Sequence, residues 1–344
     1  MRSGQYTIET LEPRRLFAVV LTVTNTNDSG DGSLRAAINN ANVVQTPQSA
    51  AILFNIPGSG VHTIKPASQL PTITVQLDLE GTTDSKGNPL IEIDGEDAGD
   101  VSGLVFNRNT NGNDKPSIVS GLVINRFEEN GIVIGGSGPT DVYGCRIGTD
   151  PTGTIAEKNL EGIAITGNNN QIGMAGSGAA FQTIISGNMA DGVDIGGNDN
   201  IVQNCSVGAD ANGEGLGNGG AGIGISGSYN LIGGTRPGEG NQIVDNSPGL
   251  ANPGIFISGQ FNVVLSNTID DNTNGIELDG ASNNEIGDGS DADRNFINGS
   301  REGVGIGLTD SSTNNLIDDN VIGYNPFDKV VAGNQIGVAI VNSS

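Results

Sequence analysis

Gly162-Ile-Ala-Ile165, Gly192-Val-Asp-Ile195 and Gly222-Ile-Gly-Ile225 follow one another at intervals of thirty residues, and their reading decides the fold. The same Gly-(Ile/Val)-x-(Ile/Leu) pattern opens at Gly131 and returns at Gly254, Gly275, Gly305 and Gly337. The successive steps are 31, 30, 30, 32, 21, 30 and 32 residues. A second column, Asn170, Asn200, Asn230, Asn262, Asn284 and Asn315, keeps the same rhythm, each followed two residues later by Ile or Val. Every apolar piece is short, alternates with period two and is bounded by Gly, Asn, Asp or Ser, as strands between tight turns are. The repeats lack the 3.6-residue period of a helix and the Leu-x-x-Leu-x-Leu frame of leucine-rich repeats, and propeller blades need longer units. The period therefore predicts an all-β chain, a right-handed parallel β-helix solenoid.

Stacking explains the letters. Inward positions of successive coils lie about 4.8 Å apart, so Ile163, Val193, Ile223, Ile255 and Ile276 are expected to form one buried column. The residue between two inward ones faces out, which gives the outward column Val133, Ala164, Asp194, Gly224, Phe256, Glu277, Gly307 and Ala339. Glycine ahead of each strand is read as a sharp corner or a positive φ. The recurrent Asn is read as a left-handed turn residue whose amide bonds from coil to coil, a structural role.

A longer rhythm is superimposed. Gly144-Cys-Arg-Ile-Gly-Thr-Asp150 and Asn204-Cys-Ser-Val-Gly-Ala-Asp210 lie sixty residues apart, with Asn320-Val-Ile-Gly-Tyr-Asn325 as a weaker third copy. Two coils separate Cys145 from Cys205, about 9.6 Å at that spacing. A disulfide needs Cα atoms about 4.4–6.8 Å apart, so two free, buried thiols are predicted. The first third differs: 19–25 reads as a strand, and Ser33 reads as the N-cap of a short helix presenting Leu34, Ala37, Ile38 and Ala41 on one face. Such a helix covers the raw end of the solenoid. The expected division is a leader segment over 1–18 and one β-helix domain over 19–344, with the cap and irregular coils in 19–101 and regular coils in 102–344.

Composition sets limits. Fifty-five glycines in 344 residues are roughly twice the average share, with no three-residue period and no Trp. A net charge of −24 excludes a nucleic-acid partner, which is bound through Lys and Arg. No apolar run approaches the roughly 18 residues of a membrane span.

Two stretches are familiar. The segment 23–42, Val23-Thr-Asn-Thr-Asn-Asp-Ser-Gly-Asp-Gly-Ser-Leu-Arg-Ala-Ala-Ile-Asn-Asn-Ala-Asn42, resembles the CSLREA-type segment of bacterial secreted β-helix proteins. Gly32 stands where that motif has Cys, and Ala36 where it has Glu. Leu11-Glu-Pro-Arg-Arg-Leu-Phe17 resembles the LEPR-XLL segment of bacterial surface proteins, with Phe17 for the final Leu. The coils themselves resemble the repeats of the pectin-lyase-like superfamily. The resemblance implies a secreted or cell-surface setting and a parallel β-helix, and no particular reaction.

Candidate chemistry is sparse. Asp194 and Glu277 are the only carboxylates of the outward column, three coils or about 14 Å apart, against roughly 5–9.5 Å in glycosidase carboxyl pairs. Both read as solvated surface. His62 is the single histidine and reads as a surface or packing residue, and Arg146 reads as a salt-bridge partner between loops near Asp141 and Asp150. Tyr143, Phe256, Phe261 and Tyr324 are scattered. Hard oxygen donors recur in Asp288-Gly-Ser-Asp291-Ala-Asp293 and in Asp94-Gly-Glu96-Asp97-Ala-Gly-Asp100, so calcium is the one cofactor considered, with Asp288, Asp291 and Asp293 as its ligands.

The resulting expectation is a non-catalytic extracellular or cell-surface scaffold or adhesion-type β-helix, meeting polysaccharide or surface and matrix proteins. The alternative is a carbohydrate-active enzyme, an acidic-polysaccharide lyase or epimerase. A third expectation is end-to-end association through the final coil, Gly337–Ser344, which has no evident cap.

Overall fold

The computed structural model describes residues 19–44, 49–110, 115–176, 182–247, 252–290, 293–300, 303–324 and 333–343. The expected leader at 1–18 and Asp291 lie outside the described residues. The chain winds into a parallel β-helix of about ten turns, and each turn crosses three sheets of eleven, ten and nine strands. The nine-stranded sheet is the Gly-Ile-x-Ile column, running from Leu104–Arg108 through Ile163–Ile165, Val193–Ile195 and Ile223–Ile225 to Ile336–Ile340.

Register in that sheet is set by burial. Ile163 pairs with Val193, Val193 with Ile223, Ile223 with Ile255 and Ile255 with Ile276, and all five are fully buried. The outward column pairs in the predicted order from Val133 to Ala339. A one-residue slip would turn every Ile into solvent, so the register is strongly specified.

The three corners are pinned by buried asparagine ladders. In the predicted column the Nδ2 of Asn170, Asn200, Asn230, Asn262 and Asn284 donates to the Oδ1 of the next Asn at 2.8–3.1 Å, ending on Asn315. Two further ladders run through Asn159, Asn188, Asn218, Asn246 and Asn272 and through Asn241, Asn267, Asn295 and Asn320. Asn200, Asn230, Asn262 and Asn284 also donate to backbone carbonyls, Asn230 to that of Gly197, so a buried polar group is satisfied where an apolar one would leave the corner unbonded.

Two turn assignments differ from expectation. The ladder asparagines are not the left-handed residues; the residues just before them are, with φ of 61° at Asn169, 57° at Asp199, 60° at Tyr229, 57° at Phe261, 58° at Asn283 and 56° at Asn314. Gly162 and Gly192 do not take positive φ either. They are glycine because a Cβ there would stand 2.4 Å from the Gly192 carbonyl oxygen and 2.7 Å from the Gly222 carbonyl oxygen.

At the N-terminal end the helix Leu34–Asn42 covers the first coil. Ser33 caps it, its Oγ accepting the Ala36 N–H at 3.2 Å, and Leu34, Ala37, Ile38 and Ala41 are buried. Cys145 and Cys205 are free and buried. Their register positions are separated by the strand of Thr183, which pairs with Cys205, so the two thiols stand two coils apart.

Candidate functional site

Each turn before a Gly-Ile-x-Ile strand delivers one residue to the edge of the nine-stranded sheet. On two adjacent coils that residue is acidic, Glu161 before Gly162 and Asp191 before Gly192. With Asp194 from the outward column they make three carboxylates on one face. Ala164, paired with Asp194, is only 9% exposed although it points outward, so the surroundings crowd over it.

The geometry is held by the next coil. Asp191 Oδ1 accepts the Ala221 N–H at 2.7 Å. Asp191 Oδ2 and Asp194 Oδ1 stand 2.9 Å and 3.7 Å from the point where a Gly224 Cβ would be, so both carboxyl groups face the same gap above that glycine. Their separation cannot exceed the sum of those two distances. The bare position at Gly224 is what leaves the gap open.

Electrostatics divides the three. Burial, and then the charges of Asp194 and Asp191, push the Glu161 carboxyl up to about 7. Burial also raises Asp191, against the pull of the Ala221 N–H, and burial raises Asp194. Among the described residues, carboxylates are the charges that act on this group. Such an arrangement sets one strongly raised acid beside two further carboxyl groups, a difference in environment of the kind acid–base catalysis uses. Among the described residues no three His, Cys, Asp or Glu side chains converge closely enough to hold a metal ion.

Other predicted residues fall elsewhere. Glu277 lies on the same outward column three coils on, raised by burial and by Asp279. His62 is half-buried in the strand His62–Ile64 and joins no cluster. Arg146 points outward on the ten-stranded sheet but is buried by its own loop. Instead of a carboxylate it binds the Pro151 carbonyl and, at 2.5 Å, Asn88 Oδ1. The expected salt bridge is replaced because Asp150 spends its oxygens on its own turn, accepting the N–H groups of Thr154 and Ile155 at 3.0 Å.

Of the calcium candidates, Asp288 is exposed and accepts the Ser290 N–H at 2.9 Å, while Asp293 is buried. Asp94 is no free ligand: Arg126 and Lys65 hold it in ion pairs. A second acidic patch lies on the eleven-stranded sheet, where burial pushes Asp141 up to about 6. Phe261 is not isolated, since it stacks on Tyr229 with ring centroids 5.0 Å apart.

The chain is thus a parallel β-helix protein with a carboxylate cluster on one outer face. No protein-family model matches it, and no curated protein does. Among solved structures it is similar to the Dettilon tailspike protein, with 15% identity over 94% of this chain and 68% of that one and a TM-score of 0.46. It is similar to a Geobacillus virus E2 protein at 14% identity, over 87% of this chain and 56% of that one, with a TM-score of 0.31. The A-module of an Azotobacter vinelandii mannuronan C-5 epimerase follows at 11% identity, over 94% and 98%, with a TM-score of 0.30. Likeness at this level concerns coil architecture alone.

Glu161 and Asp191 are not singled out by the strand alternation, because both precede the glycine that opens the strand. The signal was available: they occupy the same repeat position on adjacent coils, and Asp191 and Asp194 lie three residues apart across a strand start.

Proposed function

We propose that this chain is a secreted or cell-surface β-helix that hydrolyses neutral glycans on the outer face of its nine-stranded sheet. The observation that carries the reading is the gap above Gly224, onto which the Asp191 and Asp194 carboxyls both face at 2.9 Å and 3.7 Å from the open Cβ position, with the Glu161 carboxyl pushed up to about 7 by burial and by those two charges. In the reaction Glu161 gives its proton to the glycosidic oxygen as the C–O bond breaks. In this reading Asp191 and Asp194 act as the carboxylate side of the site, stabilising the positive charge developing at the anomeric carbon, and one of them accepts the proton of the attacking water. A neutral substrate is favoured over a uronate because a face perturbed only by like charges repels an anionic chain. The surface setting rests on the resemblance of 11–17 and 23–42 to exported proteins; among the described residues no helix is long and apolar enough to cross a membrane.

The non-catalytic scaffold remains the second reading, favoured by the small residues Gly307 and Ala339 on the rest of the outward column. Incubation with a panel of neutral polysaccharides, scored by new reducing ends, separates the two. Release by the native chain, lost in Glu161→Gln, is the expected result. No release from any neutral glycan returns the chain to the scaffold reading, and unsaturated ends from uronates alone would favour a lyase.

A further inference from the structure

Tyr229 and Phe261 occupy one turn position on successive coils, and their rings lie 4° from parallel with centroids 5.0 Å apart. At the same position the neighbouring coils carry Asn169, Asp199, Asn283 and Asn314, all left-handed. Asn and Asp enter that region readily, whereas a bulky side chain there is a conformational outlier. Tyr229 and Phe261 sit there at φ 60° and 57° and are nevertheless 58% and 42% exposed. Burial does not compensate the backbone, and the mutual stack accounts for only one face of each ring. A strained, exposed feature of this kind is retained for what it contacts.

We infer that the Tyr229–Phe261 stack is a carbohydrate-binding subsite for neutral pyranose units, serving the carboxylate face proposed above, and the inference rests on that reading for its substrate class. The free face of the pair flanks the turn of Asp199, on the coil that supplies Asp191 and Asp194. From Asp194 to Asp199 is five residues, at most about 18 Å of chain, within the span of a short oligosaccharide. A pyranose lays its apolar C–H face on an aromatic ring and keeps its hydroxyls at the rim. Polar groups for that rim stand on the same turns: Asn198 is exposed, accepts the Ser228 N–H at 2.8 Å through its Oδ1, and its backbone N–H donates to Asn168 Oδ1 at 2.7 Å. Phe256 pairs with Gly224 on the outward column and is half-buried there.

The test uses the full chain carrying Glu161→Gln, so that ligand is not consumed, and neutral hexasaccharides of cellulose, xylan, mannan, laminarin and chitin as probes. Binding is read by saturation-transfer NMR and by titration. The variant Tyr229→Asn/Phe261→Asn installs the residue other coils use, so it folds, which a melting curve verifies. At least one hexasaccharide is expected to bind, about tenfold more weakly in the double variant, with an unlowered melting temperature. No binding by any probe, or equal binding with and without the rings, overturns the inference. Binding that depends on the rings while the otherwise native chain cleaves nothing sinks hydrolysis and leaves the subsite. Cleavage whose KM ignores the rings sinks the subsite and leaves hydrolysis.

Discussion

The Asp191 carboxylate accepts the Ala221 N–H of the next coil at 2.7 Å. That single bond ties the acidic face to the stacking of the solenoid, because the donor is part of the turn that precedes the next Gly-Ile-x-Ile strand. It leaves Asp191 Oδ2 2.9 Å from the empty Cβ position of Gly224. A methyl group there must push the carboxylate aside. Gly224→Ala is expected to lower glycan cleavage by more than tenfold and, because Gly224 is buried, to cost about 1–3 kcal/mol of stability, as overpacking does. Rates on the susceptible glycan and a urea titration of both proteins check the pair of statements.

The charge of Asp194 is one of the forces holding the proton on Glu161. Asp194→Asn removes it, so Glu161 loses its proton at lower pH. If Glu161 is the acid, the alkaline limb of the pH–rate profile, near pH 7 in the native chain, moves downward in the variant. A carbon-13 titration of the Glu161 carboxyl follows the same shift without reference to activity. A limb that stays in place would assign the acid to another group.

Stability should carry the same signature. The folded-state value of Glu161, about 7, lies above its ordinary 4.5. A raised acid contributes stability that is fully present below its unfolded value and is lost as pH rises through the folded one. The ionised side chain therefore burdens the folded protein above pH 7 and not at pH 4. Glu161→Gln is expected to be more stable than the native chain at pH 8, with the advantage fading as pH falls from about 7 to 4.5. Urea midpoints at the two ends of that window measure it.

The fold was legible because burial and stacking impose it on every coil. Ile163 to Ile276 fall in one column since each must meet a like neighbour, and a pattern that occurs eight times leaves no other register. Ser33 and the helix face behind it were legible for the same reason, as a cap must be both polar at its start and apolar beneath. Two of the three asparagine ladders were not: the one from Asn159 to Asn272 has no Ile or Val two residues after each Asn to mark its register, and the one from Asn241 to Asn320 spans only four coils. The carboxylate face was hidden by a different effect. Alternation assigns residues within a strand to a face, whereas Glu161 and Asp191 stand one residue before it and reach the face only through the bend. Arg146 was misread because the loop that covers it comes from residues whose path the repeat does not specify.

Asn230 is bonded on both sides within its ladder: its Nδ2 donates to Asn262 Oδ1, and its Oδ1 accepts from the backbone N–H and Nδ2 of Asn200. Truncation to Ala strands two buried donors of Asn200, its backbone N–H and one Nδ2 hydrogen, while Asn262 Oδ1 keeps the Asn230 backbone N–H at 2.9 Å. Each unsatisfied group costs about 1–3 kcal/mol, so Asn230→Ala is expected to lose about 3 kcal/mol or more in urea unfolding. Asn168→Ala, on the outer turn of the same corner, is the control and should lose far less, since Asn168 is not fully buried. Equal losses would mean that the ladders are incidental to stability.

The pairing of Asp94 with Arg126 gives the acid side of the same account. The Asp94 side chain has no solvent exposure, and Arg126 donates to both of its oxygens, with Lys65 Nζ 3.2 Å away. Burial pulls its carboxyl up, but the Arg126 guanidinium, the Glu96 N–H and Lys65 together hold it below the usual 3.8. Arg126→Met leaves a buried carboxylate with Lys65 as its remaining cation, and breaking such a pair costs about 3 kcal/mol. A depressed acid contributes stability above its unfolded value that is lost as pH falls through the folded one. The deficit of Arg126→Met is therefore expected in full at pH 7 and to shrink below pH 4, where Asp94 takes a proton in the variant. Unfolding curves at pH 7 and pH 3 measure both. A deficit independent of pH would place the contribution of Arg126 in the packing of its methylenes across the corner, with its charge incidental.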